Sequence, residues 1–244
     1  AYSRVLPRIG NFRPVATFGV TDKVFDSDVD FAGEAIGVDV RSRPLHFDYT
    51  GEHGGESSRT RFSVTAVANL SGGGDNDDRT YAETRVGADS NWSLLRADFY
   101  NEKSLDDYTL RTVVALQYAD EALISGEQFG IGGARSVRGF DEREIAGDRG
   151  LRARLEVIAP RFEFGARWGW FLDGGVVERI GQGDVGTSRV EAMSTGITMS
   201  WEVNRRLSMQ ADIAHVLNLS GEAAGGSTQE DDSRAHFNVT YYFE

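Results

Sequence analysis

The sequence predicts an all-β fold: a transmembrane antiparallel β-barrel of about 12 strands with one unusually long loop. Three features point there. Apolar residues recur at every second position through most of the chain, and the connections alternate between short and long. One connection of 30 residues, 120–149, interrupts two well-patterned segments with a glycine-rich, cationic stretch. The whole of 1–244 reads as a single barrel domain, a size that all-β domains commonly reach undivided.

Composition narrows the choice. The chain has 29 glycines, only 4 prolines and no cysteine. Strands and tight turns follow, and disulfides, zinc–thiolate centres and cysteine nucleophiles are excluded. A net charge of -12 argues against a nucleic-acid partner, because phosphate backbones are met by Lys and Arg surfaces. The longest uncharged stretch, 62–74, has 13 residues and ends in three glycines, whereas a spanning helix needs about 20 apolar residues. Spanning strands need only about 10, half of them facing a polar lumen. The opening "AYSRVLPRIGN" reads as a strand end and a turn rather than a secretion signal. That is the expectation for a chain that begins inside a larger protein or has lost a targeting segment.

Strands of the required length are expected near 12–21, 31–41, 44–51, 59–70, 79–89, 91–102, 107–119, 150–159, 163–176, 189–202, 205–216 and 235–243. Residues 1–6 form the stub of one more. In "RTRFSVTAVANL", Phe62, Val64, Ala66, Ala68 and Leu70 share one face, opposed by Arg61, Ser63, Thr65 and Asn69. In "YTLRTVVALQY", Leu110, Val114, Leu116 and Tyr118 oppose Arg111 and Gln117. "GLRARLEVIAP" sets Leu151, Ala153, Leu155 and Val157 against Arg152, Arg154 and Glu156. "FEFGARWGWFLDGGV" sets Trp168, Trp170 and Leu172 against Arg167, Phe171 and Asp173, and "AHFNVTYYFE" sets Phe237, Val239, Tyr241 and Phe243 against His236, Asn238, Thr240 and Tyr242.

Short links, "SRP", "SLDD", "PRFE" and "NRR", alternate with long polar ones, "TDKVFDSDVD", "GEHGGESS", 120–149, "ERIGQGDVGTS" and "NLSGEAAGGSTQEDDS". Outer-membrane barrels have short periplasmic turns and long external loops. Two junctions break the rhythm: "SGGGDNDD" is long where a turn is expected, and "DS" at 89–90 is short where a loop is expected. A soluble sandwich or lipocalin-like barrel is the alternative, but it would place the apolar face inside and the ionic face outside. A lipid-facing apolar surface with aromatic residues near the strand ends fits the membrane reading. Arg111, Arg152, Arg154, Glu156 and Arg167 then line the lumen.

The stretch "EQFGIGGARSVRGFDEREIAGDRG" carries Val137, Arg138, Gly139 and Phe140, and "FLDGG" supplies Phe171, Asp173 and Gly175 on the strand after next. These motifs, V-R-G-F and F-x-D-x-G, with "LISGEQFGIGG" ahead and "GDRG" behind, resemble those of the two-partner-secretion outer-membrane transporters (TpsB type) of the Omp85 superfamily, along essentially the whole chain. The resemblance implies that the loop folds into the lumen and that Arg138 pairs with Asp173 on the inner wall. A guanidinium in a narrow lumen needs such a carboxylate, which offers bidentate, charge-assisted bonds. It also implies a secreted polypeptide substrate, outer-membrane lipid around the wall, and a monomer in the bacterial outer membrane. The C-terminal strand resembles the signal read by the barrel-assembly machinery, with Tyr241 and Phe243 as its aromatic pair; Asn238 and Glu244 depart from that pattern.

Family members carry POTRA domains, a plug helix and sixteen strands, so the resemblance implies that four strands and the POTRA region are missing here. The expected form is either a smaller barrel closed at twelve strands or part of a larger one, folded but not secreting alone. An Omp85-type insertase and a passive pore or scaffold are the other readings. No enzyme, cofactor or metal site is expected: His46, His53, His215 and His236 are scattered, no G-x-S-x-G elbow occurs, and "DNDD" and "QEDD" lack the EF-hand pattern.

Overall fold

The computed structural model describes residues 1–26, 30–31, 34–35, 38–181, 186–221 and 226–243. Eleven strands form one antiparallel sheet in sequence order: β1 (Tyr2–Val5), β2 (Phe12–Val20), β3 (Pro44–Gly54), β4 (Ser58–Asn69), β5 (Ser93–Leu105), β6 (Tyr108–Tyr118), β7 (Arg149–Ile158), β8 (Ala166–Arg179), β9 (Ser188–Glu202), β10 (Leu207–Ser220) and β11 (Ser233–Tyr241). Neighbours in sequence are neighbours in the sheet throughout. Because the strand number is odd, β1 and β11 run in the same direction. Among the described residues no pairing joins them, and all-antiparallel closure would take an odd number of further strands.

Two segments expected as wall strands are something else. In 31–41, Asp30–Phe31 pairs with Glu34–Ala35 and Val40–Ser42 pairs with Lys23–Phe25, both outside the main sheet; 32–33 and 36–37 lie outside the described residues. The segment 79–89 begins within α1 (Asp78–Thr84). Its aromatic and β-branched residues favour a strand intrinsically, but capping and burial win. Asp77 accepts a hydrogen bond from the Thr80 N–H at 2.9 Å, Asp78 complements the dipole of the first turn, and Tyr81 is fully buried.

With those segments removed, the connections fall on alternate ends without exception. Turns 6–11, 55–57, 106–107, 159–165 and 203–206 lie at one end, and connections 21–43, 70–92, 119–148, 180–187 and 221–232 at the other. Both apparent breaks in the rhythm sit inside 70–92. "SRP" falls at the end of 21–43, and "GEHGGESS", expected as a long loop, is mostly strand, closed where the Gly55 N–H donates to the Ser58 carbonyl at 2.8 Å.

The two faces of the sheet separate by polarity. Phe18, Phe47, Trp168, Trp170, Ile197 and Phe237 stand exposed on the outer face, as a lipid-facing wall requires. Gln117, Glu156, Asp173 and Asp212 are buried on the inner one. Arg59, Glu102, Arg111 and Glu156 occupy directly opposed positions on β4 to β7, so charge alternates along this row. Two apolar clusters close the long-loop end. One contains Val40, Val67, Tyr81, Trp92, Leu123 and Ile124; the other contains Ile131, Val137, Phe140, Ile145, Val177 and Val216. Among the described residues no helix is long and apolar enough to cross a membrane.

Candidate functional site

The long connection between β6 and β7 is not structureless, as its composition suggests. Phe129–Ile131 pairs antiparallel with Ile145–Gly147, making a ribbon that carries the tip 132–144. The Gly133 N–H donates to the Phe140 carbonyl at 3.2 Å, and the Gly132 N–H to Ser136 Oγ at 3.2 Å, folding the tip on itself. Val137, Arg138 and Phe140 are all fully buried. Gly139 has φ +97°, where a side chain is strained, and a Cβ there would lie 3.1 Å from Val216 Cγ2.

Arg138 meets the wall at the tip. Its Nε donates to Asp173 Oδ2 at 2.6 Å and its Nη2 to Asp173 Oδ1 at 2.8 Å, a two-pronged contact reinforced by its own backbone N–H at 3.2 Å. Nη1 lies 2.9 Å from Glu156 Oε1 and 3.3 Å from Asp212 Oδ1. The guanidinium stands over the Phe171 ring, its carbon 3.4 Å from the centroid, so the ring's negative face adds to the three carboxylates. A buried cation needs this much compensation.

The sequence motif is thus assembled around one side chain. Phe171 supplies the ring and Asp173 the carboxylate. Gly175 leaves room for the ribbon, because a Cβ there would lie 2.9 Å from Ile131 Cδ1. Phe140 packs into the second apolar cluster with Ile131, Val177 and Val216.

The residues expected to line the lumen divide. Glu156 also binds Arg111 and Arg154, each at 3.0 Å, and Arg111 continues to Glu102 at 3.0 Å. Arg152 and Arg167 do not join: the Nε of Arg152 has no hydrogen-bond partner, while Arg167 donates to Thr109 Oγ1 at 3.1 Å and to the Ala159 carbonyl at 3.3 Å. Tyr241 and Phe243 lie far along the chain at the β11 edge, exposed, with their rings edge to face at 4.8 Å.

Sequence reasoning placed His236 on the ionic face but gave it no role at the anchor, and Asp212 carried no motif to single it out. His236 Nε2 accepts the Gly139 N–H at 3.3 Å. A second buried pair was missed altogether. Asp148, within "GDRG", is fully buried and binds Arg85 from the connection that carries α1. It also accepts the Leu123 N–H at 2.8 Å and the Ile180 N–H at 2.7 Å. Burial acts to raise its pKa, but Arg85 and the two N–H donors hold it below the ordinary carboxylate value. Glu127, also buried, meets Lys23 at 2.7 Å and Arg96 at 3.3 Å. At the tip, Glu144 accepts Thr228 N–H and Oγ1 at 2.8 and 2.6 Å, and Asp141 binds Arg234. The loop is therefore held both by polar contacts and by buried apolar side chains: Leu123 and Ile124 in the first cluster, and Ile131, Val137, Phe140 and Ile145 in the second.

Comparison with known proteins agrees with this arrangement. The sequence profile of the haemolysin secretion/activation protein ShlB/FhaC/HecB family matches residues 50–199, more than half the chain. No curated protein matches it in sequence. Among solved structures it is similar to CdiB from Acinetobacter baumannii, with TM-score 0.73 and 17% identity over 98% of this chain and 41% of that one. CdiB from Escherichia coli gives 0.71 and 16% over 98% and 44%, and BamA from Haemophilus ducreyi lacking POTRA domains 1–3 gives 0.64 and 14% over 98% and 53%. The chain thus spans about half the length, or less, of the structures it matches. The family profile covers more than half of the chain, and its eleven-stranded wall shares the fold of those structures: the chain belongs to the haemolysin secretion/activation protein ShlB/FhaC/HecB family.

Proposed function

We propose that this barrel carries an unfolded polypeptide from the periplasm to the cell surface, with the loop 120–149 as a plug tethered inside the lumen. One observation carries the reading: Arg138 is fully buried at the inner wall, on carboxylates from β7, β8 and β10. The plug's ion pairs and hydrogen bonds can be exchanged in a wet, charged channel, where its polar groups regain partners, while Ile131, Val137, Phe140 and Ile145 set the apolar cost of withdrawal. The inner wall alternates sign along Arg59, Glu102, Arg111 and Glu156, so neither charge on a passing chain finds a deep trap. Folding of the substrate outside supplies the direction, without ATP.

The partners follow from this reading: outer-membrane lipid against the apolar face, the secreted polypeptide within, and the barrel-assembly machinery at Tyr241 and Phe243, acting on a monomer. The span described here folds but does not export on its own. The test is export of the cognate polypeptide from cells whose transporter carries Arg138→Ala. Export is expected to fall while the barrel still reaches the outer membrane; unchanged export would defeat the proposal. The likeness to BamA favours a second reading, insertion of other barrel proteins, for which steady-state levels of outer-membrane proteins in a deletion strain are decisive.

A further inference from the structure

Asp173 is flanked by two idle donors. Directly across from it on β7 is Arg154, and directly across on β9 is Ser194. The Arg154 Nε and the Ser194 Oγ are both buried and, unlike almost every other buried polar side-chain atom described, have no hydrogen-bond partner. Arg154 Nε lies 3.7 Å from Asp173 Oδ1, beyond hydrogen-bond reach, while its Nη2 rests on Glu156 at 3.0 Å. Both oxygens of Asp173 are taken by Arg138. Leaving buried donors unsatisfied is costly, so their place on either side of one carboxylate asks for a state in which they are used.

We propose that Arg154 and Ser194 are a standby cradle for Asp173: when the loop withdraws Arg138, the Arg154 Nε closes onto Asp173 and the Ser194 hydroxyl donates to it. The inference rests on the mobile-plug reading and adds the reason why withdrawal is affordable. The other two carboxylates are covered in the same way. Glu156 keeps Arg154 and Arg111, and Asp212 keeps the Gln210 side-chain amide at 3.1 Å. No wall carboxylate is stranded, so the two positions of the loop lie closer in free energy than the loss of a buried pair would allow. Arg154 and Ser194 are positioning residues: they act on the plug through Asp173.

The test uses the full-length transporter in liposomes with Ser136→Cys as a reporter, because Ser136 is buried beside the motif and becomes reachable by a membrane-impermeant maleimide only when the tip leaves. With the substrate polypeptide present, labelling of the reporter protein is expected to be measurable. Adding Arg154→Met slows it about tenfold, since the open state loses its replacement cation. Ser194→Ala, too small a change to threaten folding, slows it by about twofold to fivefold. Arg154→Lys restores most of the rate. Labelling as fast or faster in both Arg154→Met and Ser194→Ala overturns the cradle while leaving the mobile plug intact. No labelling of the reporter protein under any condition overturns both.

Discussion

Arg85 and Asp148 lock two connections together at the long-loop end of the barrel: Nη1 and Nη2 of Arg85 both reach the carboxylate, and the same nitrogens also bond the Leu123 and Ile180 carbonyls. The pair joins the helix-bearing segment to both ends of the arginine loop and to the connection after β8. Replacing Arg85 with Ala leaves a buried carboxylate with only N–H and amide donors. The expected loss is about 3 kcal/mol, the lower end of what breaking a buried pair costs, because those donors remain. Limited proteolysis reads it as faster cleavage within 119–148.

The same pair sets a pH dependence. Asp148 has its folded pKa below the ordinary value, held there against burial by Arg85 and two backbone N–H groups. A depressed carboxylate contributes stability that is present above the unfolded pKa, about 3.9, and is lost as pH falls through the folded value. Peptic cleavage of the loop is therefore expected to stay slow near pH 4 and to rise below it. In Asp148→Asn the loop is cleaved at a high rate throughout, with a flatter pH profile.

Gly139→Ala combines a strained backbone with a crowded side. At φ +97° with Val216 Cγ2 only 3.1 Å from the new methyl, the tip must shift away from β10. A cost of about 1–3 kcal/mol is expected. Arg138 would lose bond length or angle to Asp173, which purified protein in planar bilayers reports as more frequent channel openings.

The outer face makes an independent demand. Leu172 sits midway along β8 with its side chain opposite in direction to Asp173, so Leu172→Arg places a cation in hydrocarbon. Insertion is expected to weaken by about 2–4 kcal/mol. Urea titration of folding into vesicles measures it, and Arg152→Leu on the inner face should change the midpoint far less.

Much of this was legible in the chain itself. Period-two patterning located ten of the wall strands within a few residues, because each strand has one face in lipid and one in the lumen. It failed at 79–89, expected as a strand, where the helix α1 is mostly exposed and buries only Tyr81, although Asp77 stands ready as its cap. The Arg138 and Asp173 contact followed from two motifs 35 residues apart. Arg85 with Asp148, and Asp212 with Arg138, join positions 63 and 74 residues apart with no motif to link them. Only the register of the folded sheet and the packing of the loops bring those groups together. The idle atoms at Arg154 and Ser194 are a property of side-chain placement, which a pattern of alternation does not contain.

The account depends most on the ionic face enclosing the path of the substrate. A photocrosslinking residue placed at position 152, inward, or at 153, outward, in a transporter arrested with a half-exported polypeptide addresses that directly. Adducts to the polypeptide at 152 and none at 153 are predicted. Adducts at 153, or at neither site while export continues, would contradict it.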